Sequence, residues 1–279
     1  SAMHFSSYIE YLVDKKLDWQ QLKSERLTCL LPHSSHVTPA EFEAYGEKLG
    51  SMYEEILAHN PSLSYLGERP PKILIGKTEI PKAVNQTYIN AAYSSIEVCI
   101  LSNKLQPIIR EALYENEVHM VFHREIKDVK RCDSKDEEDG LGKFEVISNL
   151  GSNRFDAVVN CLWEGRVSLD KRMGLNHRSD NESYRVKANV RLDNLPEFHA
   201  DIPSVSVMNG PFGDFVRYGQ DDKVYFAWHP MSPKMITHNV SDVMQLYERH
   251  ARSDFPPGYE KHMIEGHRHA FEMLFPGSD

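Results

Sequence analysis

The stretch that most constrains this chain runs from Arg154 to Arg166 and reads R-F-D-A-V-V-N-C-L-W-E-G-R. Phe155 to Val159 is short, apolar and rich in β-branched residues, the composition of a strand buried on both faces. It stops at Asn160-Cys161-Leu162-Trp163-Glu164-Gly165, so that Asn, Trp and Gly gather at the carboxyl end of the expected strand. Ligands of α/β sheets collect at such ends, because the backbone turns away there and leaves polar groups facing a crevice. The plainer reading is a core strand followed by an ordinary loop.

At 279 residues the chain can form one large domain or two modest ones. A hydrophobic content of 41% with 26% charged residues is that of a soluble globular protein. The net charge of −9, with the 32 Lys and Arg scattered, argues against a nucleic-acid or anionic-membrane partner, which would need a concentrated basic face. No apolar run approaches the roughly 20 residues of a membrane span, and no signal peptide is visible. Ser1-Ala2-Met3 reads as a cloning remnant. The four cysteines, Cys29, Cys99, Cys132 and Cys161, form no C-x-x-C pair. They are expected as reduced thiols of a cytoplasmic protein, without a disulfide framework or zinc site.

Before the central stretch, apolar spacing from Tyr8 to Leu22 predicts a helix broken near Asp18, and Leu27–Leu31 a strand stopped by Pro32. Thr38, Pro39 and Glu41 form a capping-box start for a helix to about His59, with Phe42, Tyr45, Leu49, Met52, Tyr53 and Ile56 on its core face. Short strands are expected at Lys72–Ile75 and Ala92–Ile100, and a helix from an N-cap at Ser102 to Tyr114. Val118–Phe122, Glu125–Val129 and Phe144–Ile147 read as strands around an acidic loop from Asp133 to Gly142. Tyr184–Leu192 alternates as one half-buried strand with a basic outer face. Ser204–Met208, Asp214–Tyr218 and Lys223–Trp228 then form an antiparallel meander. Helices are expected from Ser241 to His250 and from Tyr259 to Phe275.

Neither G-x-G-x-x-G, G-x-x-x-x-G-K-[ST] nor G-x-S-x-G occurs. A dinucleotide's pyrophosphate needs such glycines for close backbone approach, so the chain carries no standard dinucleotide or nucleoside-triphosphate pocket by itself. His262, Glu265 and His269 share a helix face, but without H-E-x-x-H the expectation is a solvated face and no metal. The meander is richer. It interleaves aromatics with Asp214, Arg217 and His229, the make-up of a pocket for a small polar molecule. Arg217, Tyr218, Tyr225 and Trp228 are the candidate substrate contacts, Arg217 as a fork for a carboxylate. Against this stands a purely structural role as cross-strand pairs.

The order of helix Ser102–Tyr114, strands, and then F-D-A-V-V-N-C-L-W-E-G resembles the FAD-dependent oxidoreductases of the D-amino-acid oxidase and glycine oxidase superfamily. The resemblance covers roughly Trp19 to Trp228. It implies that Asn160, Cys161, Leu162, Trp163 and Gly165 lie on the flavin side, and that the later antiparallel strands roof the isoalloxazine. It further implies an α+β fold: an antiparallel or mixed sheet with packed helices forming a substrate-type domain (residues 1–100 and 166–240), plus a partial flavin-binding α/β portion (residues 101–165 and 241–279). The family's N-terminal βαβ unit with its glycine fingerprint has no counterpart here. The chain is then the middle of such an enzyme: an excised piece, a split or truncated protein, or a relative without flavin, the first being favoured by the cloning remnant. The parent is expected to oxidise an amine or amino-acid-like small molecule with FAD, and this chain to bind FAD weakly or not at all. A bare apolar flavin-side surface is expected to pair with itself or another chain. The rival is a non-catalytic small-ligand-binding or interaction domain derived from the oxidase fold. A metal hydrolase built on the C-terminal histidines ranks last.

Overall fold

The computed structural model describes residues 2–70, 72, 74–132, 142–162, 165–175, 184–186, 190–192, 202–218, 224–231, 235–239, 241–242, 245–246, 249, 254 and 257–277. The acidic loop, Trp163 with Glu164, the 219–222 turn and most of the helix expected at 241–250 lie outside the described residues. The chain divides into two compact units, Ser1–Val118 with Ala188–Pro233 and Gly258–Asp279, and His119–Lys187 with Lys234–Pro257.

The first unit is built on a seven-stranded mixed sheet. Its strands are β1 (Thr28–Pro32), β2 (Leu74–Thr78), β3 (Ile89–Ser95), β8 (Val190–Leu192), β9 (Val205–Val207), β10 (Gly213–Arg217) and β11 (Val224–Trp228), in the order β2-β3-β1-β9-β10-β11-β8. β1 and β9 are parallel and every other pair is antiparallel. The expected meander is therefore present as β9-β10-β11.

Pleating divides the side chains between two faces. Leu30, Ala92, Val205, Phe215, Phe226 and Trp228 pack against the C-terminal helix α5 (Tyr259–Leu274) through Ala270, Phe271, Leu274 and Phe275. Phe215 lies 5.7 Å from Phe271 and 5.0 Å from Phe275 between ring centroids. On the other face Cys29, Leu31, Ala91 and Tyr93 receive Phe42 of helix α2 (Pro39–His59). Burying some large apolar side chains on both faces contributes about 1.5–3 kcal/mol each. Helix α5 belongs to the sheet unit.

Helix α2 begins with the expected capping box, Glu41 N–H donating to Thr38 Oγ1 and Thr38 N–H to Glu41 Oε2. Its buried face matches the expected one at Phe42 and Tyr53 only. Phe42, Gly46 and Tyr53 are buried, whereas Tyr45, Met52 and Ile56 are exposed. Counting apolar residues overlooks glycine, and Gly46 sits on the inward line. Helices α1 (Ala2–Leu12) and α3 (Ser102–Glu115) close a second apolar cluster, in which Ile9, Val13, Trp19, Leu22, Leu66, Leu105 and Ala112 are buried. Ser102 is the first residue of α3 rather than its N-cap, a position held by Leu101 without a side-chain bond. α1 ends at Leu12, and Asp14 follows in the left-handed region (φ 51°).

The second unit holds a three-stranded antiparallel sheet, β4 (Ile126–Arg131), β5 (Phe144–Ser148) and β6 (Gly151–Phe155). It also contains helix α4 (Arg166–Arg172) and the pair β7 (Tyr184–Val186) with β12 (Met235–Thr237). Three expectations are corrected here. Phe155 is the last residue of an exposed hairpin strand, and 156–162 is not strand; Val159 is 84% exposed. Val118–Phe122 is not strand either, with Val118, Val121 and Phe122 exposed. The two described parts of Tyr184–Leu192 fall in separate sheets, β7 pairing with β12 and β8 with β11. In the first two cases an apolar run lacks, among the described residues, the ladder partner that a buried strand requires.

Candidate functional site

In the second unit the side chain of Asn160 is hydrogen-bonded to helix α4. Asn160 Nδ2 donates to Arg166 O at 3.0 Å and to Asp170 Oδ1 at 2.7 Å. Its Oδ1 accepts from Leu162 N–H at 3.2 Å, and Gly165 N–H donates to Leu162 O at 2.8 Å. Both amide protons of Asn160 and one carbonyl lone pair are therefore committed to these bonds. Asp170 is buried, so the pair is screened little by solvent. Cys161 and Leu162, next in the chain, are both exposed. Gly165 precedes α4 as its N-cap. Trp163 lies outside the described residues.

The four meander candidates belong to the first unit, and the pleat separates them. Trp228 is buried beside Phe226 and Phe212 on the α5 face, with ring centroids 6.4 and 6.2 Å away. Tyr225, three residues earlier on β11, points to the opposite face. Tyr218 joins it there, the two rings meeting edge to face at 6.4 Å and 74°. Arg217, the neighbour of Tyr218, alternates to the other side, and its Nη1 donates to Ile202 O at 3.1 Å. The geometry thus brings Tyr218 and Tyr225 together and leaves Arg217 and Trp228 apart from them.

Asp214 shares the tyrosine face. Its Oδ1 accepts from Ser206 Oγ at 2.5 Å. Burial pushes the Tyr218 and Tyr225 hydroxyls above the ordinary phenol range, and the Asp214 charge adds to the rise at Tyr225. Burial also lifts the Cys29 thiol to about 11, again with a contribution from Asp214. Thiols held this far from ionisation are poor nucleophiles at neutral pH, so Cys29 acts as a small packed side chain. Asp214 is the feature that the sequence pattern named among the meander charges but could not orient.

The histidines of α5 resolve differently. His262 and His269 are exposed. The buried one is His267, whose Nδ1–H donates to Met263 O at 2.8 Å while Nε2 accepts from Trp228 N–H at 3.3 Å. Desolvation holds its pKa below the ordinary imidazole value. The signal for it was present: Met263, His267, Ala270 and Leu274 recur at helical spacing on one apolar line.

No protein-family model matches the sequence, and no curated protein does. Solved structures match in fold. An L-proline dehydrogenase from P. horikoshii superposes with a TM-score of 0.59 at 13% identity, over 99% of this chain and 62% of the other. A glycine oxidase from Geobacillus kaustophilus gives 0.50 at 16% identity, over 92% of this chain and 60% of the other. A fructosyl peptide oxidase gives 0.54 at 11% identity, over 97% and 61%. This α+β chain therefore has the glycine oxidase type of fold that its sequence resembles, and it spans about three-fifths of the length of these structures. Among the described residues no helix is long and apolar enough to cross a membrane.

Proposed function

We propose that this chain is the substrate-binding part of an FAD-dependent oxidoreductase that removes hydride from the carbon beside an amine or amino-acid nitrogen. Fold alone does not establish an activity, so the proposal leans on one further observation. Two apolar segments that read as strands, Val118–Phe122 and Phe155–Val159, stand largely exposed, Val159 at 84%. Strand sequences of this kind are stable when another sheet edge covers them. A flavin-binding βαβ layer supplied by sequence outside this chain would do so, and the solved structures of the same fold are longer.

The segment at Asn160 suits the wall of such a site: Asn160 is tied to Arg166 and Asp170, and Cys161 and Leu162 beside it are exposed. It does not suit a whole flavin site. Asn160 has spent its amide protons internally, and the chain has no glycine-rich turn for the pyrophosphate. No chemical step is therefore assigned to flavin on this chain. What flavin supplies, when bound by the parent protein, is hydride acceptance. This chain's contribution is the sheet face carrying Tyr218 and Tyr225, which would orient the substrate and exclude water, while Arg217 and Trp228 stiffen the strands behind it. The free thiols of Cys29, Cys99, Cys132 and Cys161 suit a reducing compartment, the cytoplasm.

The test is to express the complete reading frame that encodes these residues and measure flavin and backbone protection. The proposal expects stoichiometric FAD, and slow amide exchange at 118–122 and 155–162 that becomes fast in the present chain alone. A flavin-free product, or segments equally protected in both, would favour the rival, a ligand-binding or interaction domain of the same fold.

A further inference from the structure

We propose that Asn209, in the turn between β9 and β10, is a site of self-modification. Its side-chain amide cyclises onto the Gly210 nitrogen, loses ammonia and reopens as aspartate or isoaspartate. The reaction needs no flavin and stands apart from the oxidoreductase reading.

Asn209-Gly210 is the one Asn-Gly pair in the sequence, and the fold fixes both residues. Asn209 is exposed with φ at 59°, in the left-handed region that Asn enters more readily than most residues. Gly210 has no room for a side chain, because a Cβ there would collide with the ring of Phe212. That ring is buried beside Trp228, 6.2 Å away between centroids. A glycine nitrogen is also the least hindered that a chain offers to the side chain before it. Among the described residues neither the Asn209 side chain nor the Gly210 N–H makes a hydrogen bond, so both reacting groups are available.

The oxygen of the same peptide unit distinguishes this turn from a bare dipeptide. Asn209 O accepts from His36 N–H at 2.7 Å and from Ser35 Oγ at 3.4 Å, a hydroxyl that also reaches Met208 O at 3.5 Å. When Gly210 N–H gives its proton to water, the charge spreads onto Asn209 O, where both donors already point; donors so placed stabilise a developing oxyanion. The nitrogen then bonds to Asn209 Cγ, and the C–N bond of the side-chain amide breaks. The departing nitrogen takes up a proton and leaves as ammonia, closing a cyclic imide. Water opens that ring. Attack at Cγ restores the main chain with aspartate, whereas attack at the main-chain carbonyl carbon routes the chain through the side chain as isoaspartate. No electrons are exchanged: water is consumed and ammonia released. Isoaspartate lengthens the main chain by a methylene between two fixed bonds, Met208 N–H to Leu30 O at 2.8 Å and His229 N–H to Phe212 O at 3.0 Å. It also turns the carbonyl that met His36 N–H into a free carboxylate, loosening the tie between this turn and the chain entering α2.

The experiment incubates the whole chain at mildly alkaline pH beside a free peptide spanning Val207–Phe212. It follows released ammonia, the mass of the proteolytic peptide carrying Asn209, and methyl labelling by an isoaspartyl methyltransferase with S-adenosylmethionine. Asn209 is expected to convert in the folded chain at least as fast as in the peptide, and ahead of every other Asn. Ser35→Ala withdraws one donor and should slow the folded chain by about threefold or more, while both chains convert alike in urea. Asn209→Ser should abolish labelling at this turn. The converted chain should exchange the His36 and His229 amide protons faster than the unconverted one. If Ser35→Ala does not fold, the ratio of folded chain to peptide decides. A folded chain slower than the peptide, equal rates for folded wild type and Ser35→Ala, or unchanged exchange at His36 and His229 after conversion overturns the inference.

Discussion

Replacing His267 tests the packing of α5 on the sheet, because that side chain is 3% exposed and bonded on both ring nitrogens. Trp228 N–H can only donate, so Nε2 must accept and the proton sits on Nδ1, facing Met263 O. Phe226 meets the ring edge-on at 5.7 Å. His267→Phe roughly conserves volume and withdraws the acceptor from a buried amide, a loss of about 1–3 kcal/mol. His267→Ala adds a cavity and should cost about 3–5 kcal/mol in all. Desolvation, opposed more weakly by the Met263 bond, lowers the folded-state pKa. Between that pKa and the unfolded value of about 6.5, the unfolded chain binds more protons, so stability rises with pH. The contribution of neutral His267 is complete above about 6.5 and is lost as pH falls through the folded-state pKa. Urea midpoints at several pH values, with slopes checked for constancy, measure it. The gap between wild type and His267→Phe should shrink as the solution is acidified. A gap independent of pH, or equal losses for Phe and Ala, refutes the reasoning.

Glu68 gathers Lys23, Arg26 and Gln20, and hydrogen bonds from Lys23 and Gln20 lead the causes that bring its pKa down to about 2. With its side chain 30% exposed and screened, Glu68→Gln should cost about 1–2 kcal/mol in denaturant melts at neutral pH. That difference is present above the unfolded value of about 4.3 and disappears as the solution is acidified towards about 2. A Cβ on Gly213 would collide with Ala227 O, so Gly213→Ala should lower stability by about 3 kcal/mol or more, read as a lower melting temperature. Gly50, inside α2 with nothing within 4 Å of the added atom, should give the opposite result: Gly50→Ala stabilises by about 0.5–1 kcal/mol. Asn160→Ala leaves Asp170 without an Asn160 partner and should cost about 1–3 kcal/mol, with faster amide exchange at Leu162 as the local readout.

Local signals in the sequence held where the chain satisfies them locally. Thr38, Pro39 and Glu41 specify a helix start within four residues, and the capping box is there. The meander's alternation and turns likewise need only neighbouring strands. Phe155–Val159 shows the limit, since a doubly buried strand depends on partners and the described residues provide none. Tyr184–Leu192 keeps one period through two strands of different sheets, which periodicity cannot register. The site was half legible. Arg217 and Tyr218 are adjacent, and Tyr225 and Trp228 are three apart, so a pleat separates the members of each pair. What the sequence could not supply was which parity faces α5, a matter settled by Phe215 and Phe226 packing on Phe271.

The most direct measurement is anaerobic mixing of the complete protein, supplied with FAD, with a series of amines and amino acids while the oxidised flavin absorbance is followed. The account predicts bleaching by amines or amino acids, slowed when Tyr225 is replaced by Leu. A flavin that dithionite reduces but no amine does, or that neutral hydroxy acids reduce as readily, contradicts it.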